Sequence, residues 1–226
     1  QASAGIAIGT AAGQTNQGLN SVALGVNAGS QTQGSGAIAI GFQAGLTGQQ
    51  SGAISIGYQA GSNGITAGST QGQGINAIAI GIQAGYTVQG TGAVAIGFQA
   101  GLSSQGTNSI AIGILAGNTN QNQNAVAIGS QAGRTGQGTN SIAIGLTAAQ
   151  VFQNTRSIGI GVSAGESYQG YESVSVGYNS GSATQGFRSV AIGSGAGQTL
   201  QGAACIAIGY LAGQGTQYSG GIAIGY

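Results

Sequence analysis

The sequence predicts an all-β fold, a single-chain parallel β-solenoid with 16-residue coils and about 14 rungs. Three observations support this prediction. A motif of the form I-A-I-G recurs fourteen times, almost always at a 16-residue interval. Within each copy a small residue separates two aliphatic residues, which is the period-two alternation of a strand. Glycines recur every few residues, which disfavours helix and supplies the corners that a coil needs.

The coil length is set by the glycine that closes each motif. These glycines stand at positions 9, 25, 41, 57, 81, 97, 113, 129, 145, 161, 177, 193, 209 and 225. The 16-residue spacing is broken only between Gly57 and Gly81, whose positions differ by 24. We assign the extra eight residues to an insertion near residues 62–69 and expect a bulging loop, not a strand moved to the opposite face. Because no linker divides the chain, residues 1–226 are predicted to be a single solenoid domain.

The aliphatic residues on either side of the small residue are predicted to form the core. The alanine that follows the glycine by three residues is expected to point the same way. Equivalent residues of successive coils would then stack about 4.8 Å apart. Such a core is thin and leaves no room for a cofactor pocket of several hundred cubic ångströms.

A column of glutamines is the strongest polar signal. A glutamine follows the closing glycine by eight residues in nearly every unit, and amides stacked at this spacing can bond one another. We interpret the column as a structural ladder, and the alternative is an exposed amide row that binds a glycan or a surface. The ladder consists of Gln17, Gln33, Gln49, Gln73, Gln89, Gln105, Gln121, Gln137, Gln153, Gln169, Gln185, Gln201 and Gln217.

One region of the chain carries charged and aromatic residues at the same 16-residue interval. Arg156, Glu172 and Arg188 are predicted to stack as a charge ladder on three consecutive rungs. The aromatic residues of this region define a candidate contact patch, and the alternative is local stacking without a partner. The candidate contact patch comprises Phe152, Tyr168, Tyr171 and Phe187.

The composition argues against most other functions. Only five of 226 residues are charged, and His, Asp and Lys are absent. Nucleic-acid binding needs many cationic side chains, and membrane insertion needs long apolar runs, so neither is expected. Catalysis needs titratable groups gathered in a cleft, and metal sites need clustered ligands. The sequence therefore predicts a protein that is not an enzyme and has no cofactor or metal.

Several copies of the motif resemble repeats of known families. The segments SIAIG at 109–113 and 141–145 and SVALG at 21–25 resemble the head repeats of trimeric autotransporter adhesins. The longer segments AIAIGFQAG at 37–45 and AISIGYQAG at 53–61 are similar to IAIGxQAG repeats of phage and large-virus fibre-like proteins. The adhesin family implies a left-handed parallel β-roll, trimerisation and an extracellular role in attachment. The present chain has a longer period than that family and carries the glutamine column.

The first and last motifs suggest how copies could associate. A rung without a neighbour is an open edge that invites pairing, so we expect either that further residues cover the end rungs or that copies stack head to tail. A head-to-tail contact that does not close gives a filament. A net charge near zero also favours association into a homo-oligomer. The candidate end-stacking residues are Ile6, Ile8, Ile222 and Ile224.

These observations lead to three hypotheses for the function. The first is a non-enzymatic structural protein that self-associates into a fibre or filament outside the cell or on a cell or virion surface. The second is an adhesin or receptor-binding shaft that recognises a glycan or a surface receptor. The third is an ice-binding protein, although no column repeats a Thr-x-Thr face.

Overall fold

A computed structural model of the chain describes residues 4–62 and 72–226. The described residues form two compact units, the first within residues 4–119 apart from 63–71 and the second over residues 120–226. In both units the strands are parallel and stack at intervals of about 16 residues, so the predicted β-solenoid fold class is confirmed. The assignment of the whole chain to a single domain stays a prediction.

In the first unit, each I-A-I-G motif contributes one three-residue strand to a parallel sheet. The strands of this sheet are β1 Ile6–Ile8, β3 Val22–Leu24, β5 Ile38–Ile40, β7 Ile54–Ile56, β8 Ile78–Ile80, β9 Val94–Ile96 and β11 Ile110–Ile112. Segments of the same length on the second side of the coils are β2 Thr15–Gln17, β4 Gln31–Gln33, β6 Thr47–Gln49 and β10 Ser103–Gln105. Single parallel bridges continue this second side from Gln73 to Gln89 and from Gln89 to Gln105. A further segment, β12 Thr119–Gln121, begins at the last residue of the unit.

The second unit repeats this arrangement. Its motif strands are β13 Val126–Ile128, β15 Ile142–Ile144, β17 Ile158–Ile160, β19 Val174–Val176, β21 Val190–Ile192, β23 Ile206–Ile208 and β25 Ile222–Ile224. The segments of its second side are β14 Thr135–Gln137, β16 Val151–Gln153, β18 Ser167–Gln169, β20 Thr184–Gln185, β22 Leu200–Gln201 and β24 Thr216–Gln217.

The register of the motif strands holds across the 24-residue unit. Strand β8 pairs with β7 in the same sheet, with Ile78 opposite Ile54 and Ile80 opposite Ile56. The insertion therefore leaves the strand on the same face, and this agrees with the sequence prediction. The predicted bulge at 62–69 lies, apart from Ser62, outside the described residues.

The aliphatic residues of the motif do not form the core, and this part of the sequence prediction is wrong. In β5 the central Ala39 is fully buried, whereas Ile38 and Ile40 on either side are only half-buried. The same alternation holds in the other motif strands, and the flanking residue is exposed in several of them. The small residues therefore point into the coil, and the large aliphatic residues point out.

The interior of each coil contains small side chains and a glutamine. Buried alanines from the centre of the motif strand pack against buried alanines that follow the glycine by three residues, as Ala23, Ala28, Ala39 and Ala44 do. Period-two alternation in a strand shows only that the two sets of side chains point to opposite sides of the strand. The width of the coil decides which set fits inside, because interiors are filled without strain or voids. In a 16-residue coil only the small set and one extended amide fit.

The closing glycine forms a corner that no other residue could form without strain. At Gly41 the backbone has φ +126°, a region that residues with a side chain rarely occupy. A Cβ atom at this position would lie 2.6 Å from the carbonyl oxygen of Gly57 in the next coil. Glycine at this position therefore permits both the corner and the close stacking of coils.

Candidate functional site

The predicted glutamine column lies inside the coils, at the end of the second-side segments. From Gln17 to Gln201 its members are between 0 and 4% exposed. A buried amide must find hydrogen-bond partners, because an unpaired polar group in a protein interior is costly. The alternative of an exposed amide row that binds a ligand does not fit this burial.

The main partners of the buried glutamines are backbone carbonyls of the motif strands. Gln49 illustrates the geometry: its Nε2 donates to the carbonyl oxygen of Ile38 at 2.7 Å and to that of Ala53 at 3.1 Å. Ile38 begins one motif strand and Ala53 precedes the next, so a single amide spans the coil and holds two neighbouring strands. The bond to the first residue of the motif strand recurs for Gln17, Gln33, Gln73, Gln89, Gln105, Gln137, Gln153, Gln169, Gln185, Gln201 and Gln217.

Bonds between successive buried glutamines are also seen, but they are longer and join only some pairs. Gln33 donates to Gln49 at 3.3 Å, and Gln153 donates to Gln169 at 3.0 Å. The other joined pairs are Gln49–Gln73, Gln121–Gln137, Gln185–Gln201 and Gln201–Gln217. Amide-to-amide bonds therefore link the column only in short runs, whereas its bonds to the backbone recur regularly.

Two serines complete the hydrogen bonding of the amides where they replace the central alanine of a motif strand. Ser55 Oγ donates to Gln73 Oε1 at 2.6 Å, and Ser175 Oγ donates to Gln185 Oε1 at 2.7 Å. In the coils of Gln89 and Gln153 the central residue is alanine, and Oε1 accepts no hydrogen bond within the described part of the chain. A serine at the centre of the motif strand therefore supplies a donor to the buried oxygen, and at an alanine coil the oxygen is paired where the preceding glutamine donates to it, as Gln33 does to Gln49.

The charged residues of the predicted ladder are adjacent in the structure. Glu172 accepts from Arg156 Nη1 at 3.1 Å through one oxygen and from Arg188 Nε at 3.0 Å through the other. All three have φ near +57°, so they share one corner position of the coil. The hydrogen bond from Arg188 and then the one from Arg156 lower the pKa of Glu172 below its usual value. The three side chains are well exposed, so these ion pairs contribute little to stability.

The four residues of the candidate contact patch form two groups. Phe152 and Tyr168 stack with ring centroids 5.4 Å apart and planes inclined by 23°. Tyr171 and Phe187 line a shallow depression of about 380 Å³ together with Glu172 and Arg188. All four rings are more than two-fifths exposed, so the patch offers aromatic surface beside charge.

The outward side chains of the motif strands form a surface that the sequence analysis assigned to the core. We call this surface the aliphatic strip: the first and third residues of β1, β3, β5, β7, β8, β9 and β11 in the first unit, and of β13, β15, β17, β19, β21, β23 and β25 in the second. Every one of these residues is Ile, Val or Leu. The candidate end-stacking residues Ile6, Ile8, Ile222 and Ile224 belong to it and lie in the edge strands β1 and β25.

A second glutamine column was missed by the sequence analysis. Gln59 donates to Gln43 at 2.9 Å, Gln83 donates to Gln59 at 3.0 Å, and Gln99 donates to Gln83 at 2.9 Å. These half-buried residues follow the closing glycine by two positions, at φ near +53°. The signal was present in the sequence as the glutamine of IAIGxQAG in four consecutive units.

The described residues contain few groups that could do chemistry. Residues 4–62 and 72–226 hold no cluster of three or more His, Cys, Asp or Glu side chains that could bind a metal ion. Over the same ranges, no helix has the length and apolar character to cross a membrane. Comparisons with protein-family models, curated proteins and solved structures find no match for this chain. The resemblance to adhesin and fibre repeats therefore stays a prediction.

Proposed function

We propose that this chain is a non-enzymatic structural protein whose stacked coils build a self-associating fibre outside the cell or on a cell or virion surface. The observation that carries this proposal is the repetition itself. In both units the coils stack in register, and each repeats the buried amide, the glycine corner and the outward aliphatic pair of its neighbours. Uniform stacking gives a regular element whose strands and corners repeat from rung to rung, which suits mechanical support.

The distribution of titratable groups supports a role without catalysis. The acidic side chains are Glu166 and Glu172, and Glu172 is bound by two arginines on the surface. A general acid or base works in a cleft with its partner group at hand. The interior of the coils is instead filled by alanine, serine and glutamine.

Electron microscopy of the purified protein tests this role. We expect elongated particles of uniform width that lengthen or thicken as the protein concentration rises. Analytical ultracentrifugation over the same concentrations should show mass above that of one 21.5 kDa chain. Compact particles that sediment as single chains at every concentration would contradict the proposal.

A second candidate, a receptor-binding shaft, is favoured by the depression at Tyr171 and Phe187. Aromatic rings beside Glu172 and Arg188 combine apolar contact with hydrogen-bonding groups, a combination common in ligand sites. Binding to an array of glycans would be compared between the wild type and the Tyr171→Ala/Phe187→Ala variant. Glycan binding that disappears in this variant would favour the receptor-binding shaft. Equal binding by both proteins, or no binding by either, would leave the structural role as the only supported function.

A further inference from the structure

The aliphatic strip is the largest feature of the surface that the proposed function leaves unassigned. In every motif strand the central, inward residue is small and the two outward residues are Ile, Val or Leu. The five charged residues, at positions 134, 156, 166, 172 and 188, all lie outside it. The backbone groups of these strands are paired within the sheet, so the strip offers almost nothing to hydrogen-bond with water.

The area of the strip is large for a surface facing water. Seven strands spaced about 4.8 Å apart, each with two outward residues, give a strip roughly 34 Å long and 10 Å wide in each unit. That is about 340 Å² per unit, already within the range of about 300–600 Å² of the largest apolar patch on a typical monomer. Packing the strip of one unit against an identical strip would remove about 340 Å² of apolar surface from water on each side.

The chemistry of the strip selects a second copy of this chain as its partner. A binding partner must bring an apolar surface without charges, because a charge buried against the strip would remain unpaired. It must also match a row of aliphatic side chains that repeats at every rung, and an identical strip has the same repeat. Two sheet faces of this kind pack about 10 Å apart with their side chains interdigitated.

We propose that the aliphatic strip packs face to face against the aliphatic strip of a second copy, around a two-fold axis. The inference rests on the proposed structural function and names the surface by which copies associate. A two-fold contact uses the same patch on both chains and closes on itself. The pair of chains would be the unit from which a fibre is built, and its growth would need a further contact.

The test introduces lysines into the strip and compares them with lysines elsewhere. The strip variant carries Leu24→Lys, Ile56→Lys, Ile128→Lys and Ile160→Lys, at positions between 36 and 41% exposed. The control variant carries Leu19→Lys, Ile75→Lys, Leu146→Lys and Leu200→Lys, at positions outside the strip and the candidate contact patch that are between 44 and 52% exposed. Both variants gain four charges and lose four large apolar side chains, two in each unit.

A third variant guards against misfolding caused by the lysines. It replaces the same four strip residues by threonine, which keeps or introduces β-branching and suits a strand while reducing the apolar surface. Far-ultraviolet circular dichroism checks that each variant retains its β structure. Sedimentation equilibrium at micromolar concentrations then measures the mass of each protein.

We expect the wild type and the control variant to sediment as pairs of the 21.5 kDa chain or as multiples of pairs. We expect the lysine variant to be a single chain, with its dissociation constant raised by at least about 100-fold, and the threonine variant to be weakened less. A folded lysine variant that associates as the control does would overturn the inference and leave the structural function standing. A wild type that is a single chain at every concentration would contradict both.

Two other outcomes would also overturn the inference. Wild-type trimers would show that each strip meets two others, which contradicts two-fold packing. Wild-type protein that stays a single chain but co-sediments with vesicles of neutral phosphatidylcholine, through residues that the strip variant lacks, would show that the occupant of the strip is a lipid surface.

Discussion

The chain contains two columns of glutamines that look alike in sequence and differ in what they bind. Gln49, in the buried column, donates to the backbone of two motif strands and also contacts its neighbours in the column. Gln59, in the half-buried column, donates to Gln43 and accepts from Gln83. The buried amides therefore hold the coil together from inside, whereas the half-buried amides only connect one corner to the next.

The difference follows from solvent access. A buried amide has no water to replace a lost partner. Removing one of its hydrogen bonds therefore leaves a buried polar group unpaired and costs the full desolvation penalty of that group. A half-buried amide exchanges one partner for water at little cost. Repetition in the sequence indicates that a column exists, and burial determines how much the column stabilises the fold.

The largest effect is expected when one member of each column is replaced by leucine. Gln49→Leu removes the bonds to Ile38 and Ala53 and should lower the free energy of unfolding by about 3 kcal/mol. Gln59→Leu should lower it by about 1 kcal/mol or less, because both of its partners can reach water. Urea unfolding followed by circular dichroism measures both values.

The leucine at position 59 is a fair control because the same corner already accepts leucine. Leu115 and Leu211 occupy the equivalent position, with φ of +58° and +55°. Backbone strain therefore does not enter the comparison. Equal losses from the two variants would show that burial does not separate the two columns.

The serine at the centre of a motif strand offers a finer test of the buried column. Ser175→Ala removes the hydrogen bond to Gln185 Oε1 and should cost about 1–2 kcal/mol, because the buried oxygen loses its donor. The matched change introduces a serine hydroxyl instead of removing one. Ala143→Ser should stabilise by about 1 kcal/mol, since Gln153 Oε1 accepts no bond within the described residues.

Both serine variants are measured by urea unfolding under the conditions used for the wild type. Opposite signs are the informative outcome, because both replacements change the same atom at equivalent positions of the coil. A loss of stability in Ala143→Ser would mean that the interior has no room for the hydroxyl at that rung.

The sequence predicted the coil length and the register because both depend only on repetition. The charges at 156, 172 and 188 fall in one column by counting alone, and their ion pairs agree with that count. The direction of the side chains could not be obtained in this way. Alternation gives two equivalent solutions, and the choice of Ala39 over Ile38 for the interior depends on the width of the coil.

The partners of the glutamines were beyond the sequence for a related reason. The 16-residue interval suggested that each amide bonds the next, but the reach of Gln49 to Ile38 depends on the distance between the two sides of the coil. The second column was missed because the same position in other units carries Ala, Asn, Leu, Thr, Ser or Gly, which is typical of a variable surface corner. Only the four consecutive units from Gln43 to Gln99 form the amide chain.

The room around the buried column can be tested at one exceptional coil. Ala149 occupies a position that is glycine in the other units, and Gly159 stands where a motif strand has alanine or serine. A Cβ added at Gly159 would lie 2.9 Å from the Ala164 carbonyl oxygen, 3.3 Å from Ala149 Cβ and 3.4 Å from Gln169 Oε1. The missing methyl group at one position therefore accommodates the extra methyl group at the other.

This compensation predicts a non-additive result. Gly159→Ala alone should destabilise by about 1 kcal/mol through overpacking. Combining it with Ala149→Gly should remove the part of that loss that comes from the Ala149 methyl group, with a coupling of at least about 0.5 kcal/mol between the two positions, while the contact with the Ala164 carbonyl oxygen remains. Thermal unfolding of the wild type, the two single variants and the double variant measures the coupling. Strictly additive changes would contradict the compensation.

The charged column is the most exposed of the three columns, and the smallest effect is expected there. Because Arg188 and Arg156 lower the pKa of Glu172, its carboxyl binds a proton less readily in the folded chain than in the unfolded chain. The stabilisation from this residue is therefore present above the unfolded pKa of the carboxyl, and it is lost as the pH falls through the lower folded pKa. At neutral pH the Glu172→Gln variant should melt slightly below the wild type.

The difference between the two melting temperatures should shrink as the pH is lowered from 7 towards 3, since protonated Glu172 resembles glutamine in charge. The control is Glu166→Gln, which removes the same charge outside these ion pairs. Any change that the two variants share would come from the loss of one negative charge and not from the ion pairs of Glu172. If Glu172→Gln lost as much stability at pH 3 as at pH 7, the residue would act through packing, and exposed ion pairs in this column would contribute no measurable charge effect. In that case the comparison of the columns would rest on the glutamines alone.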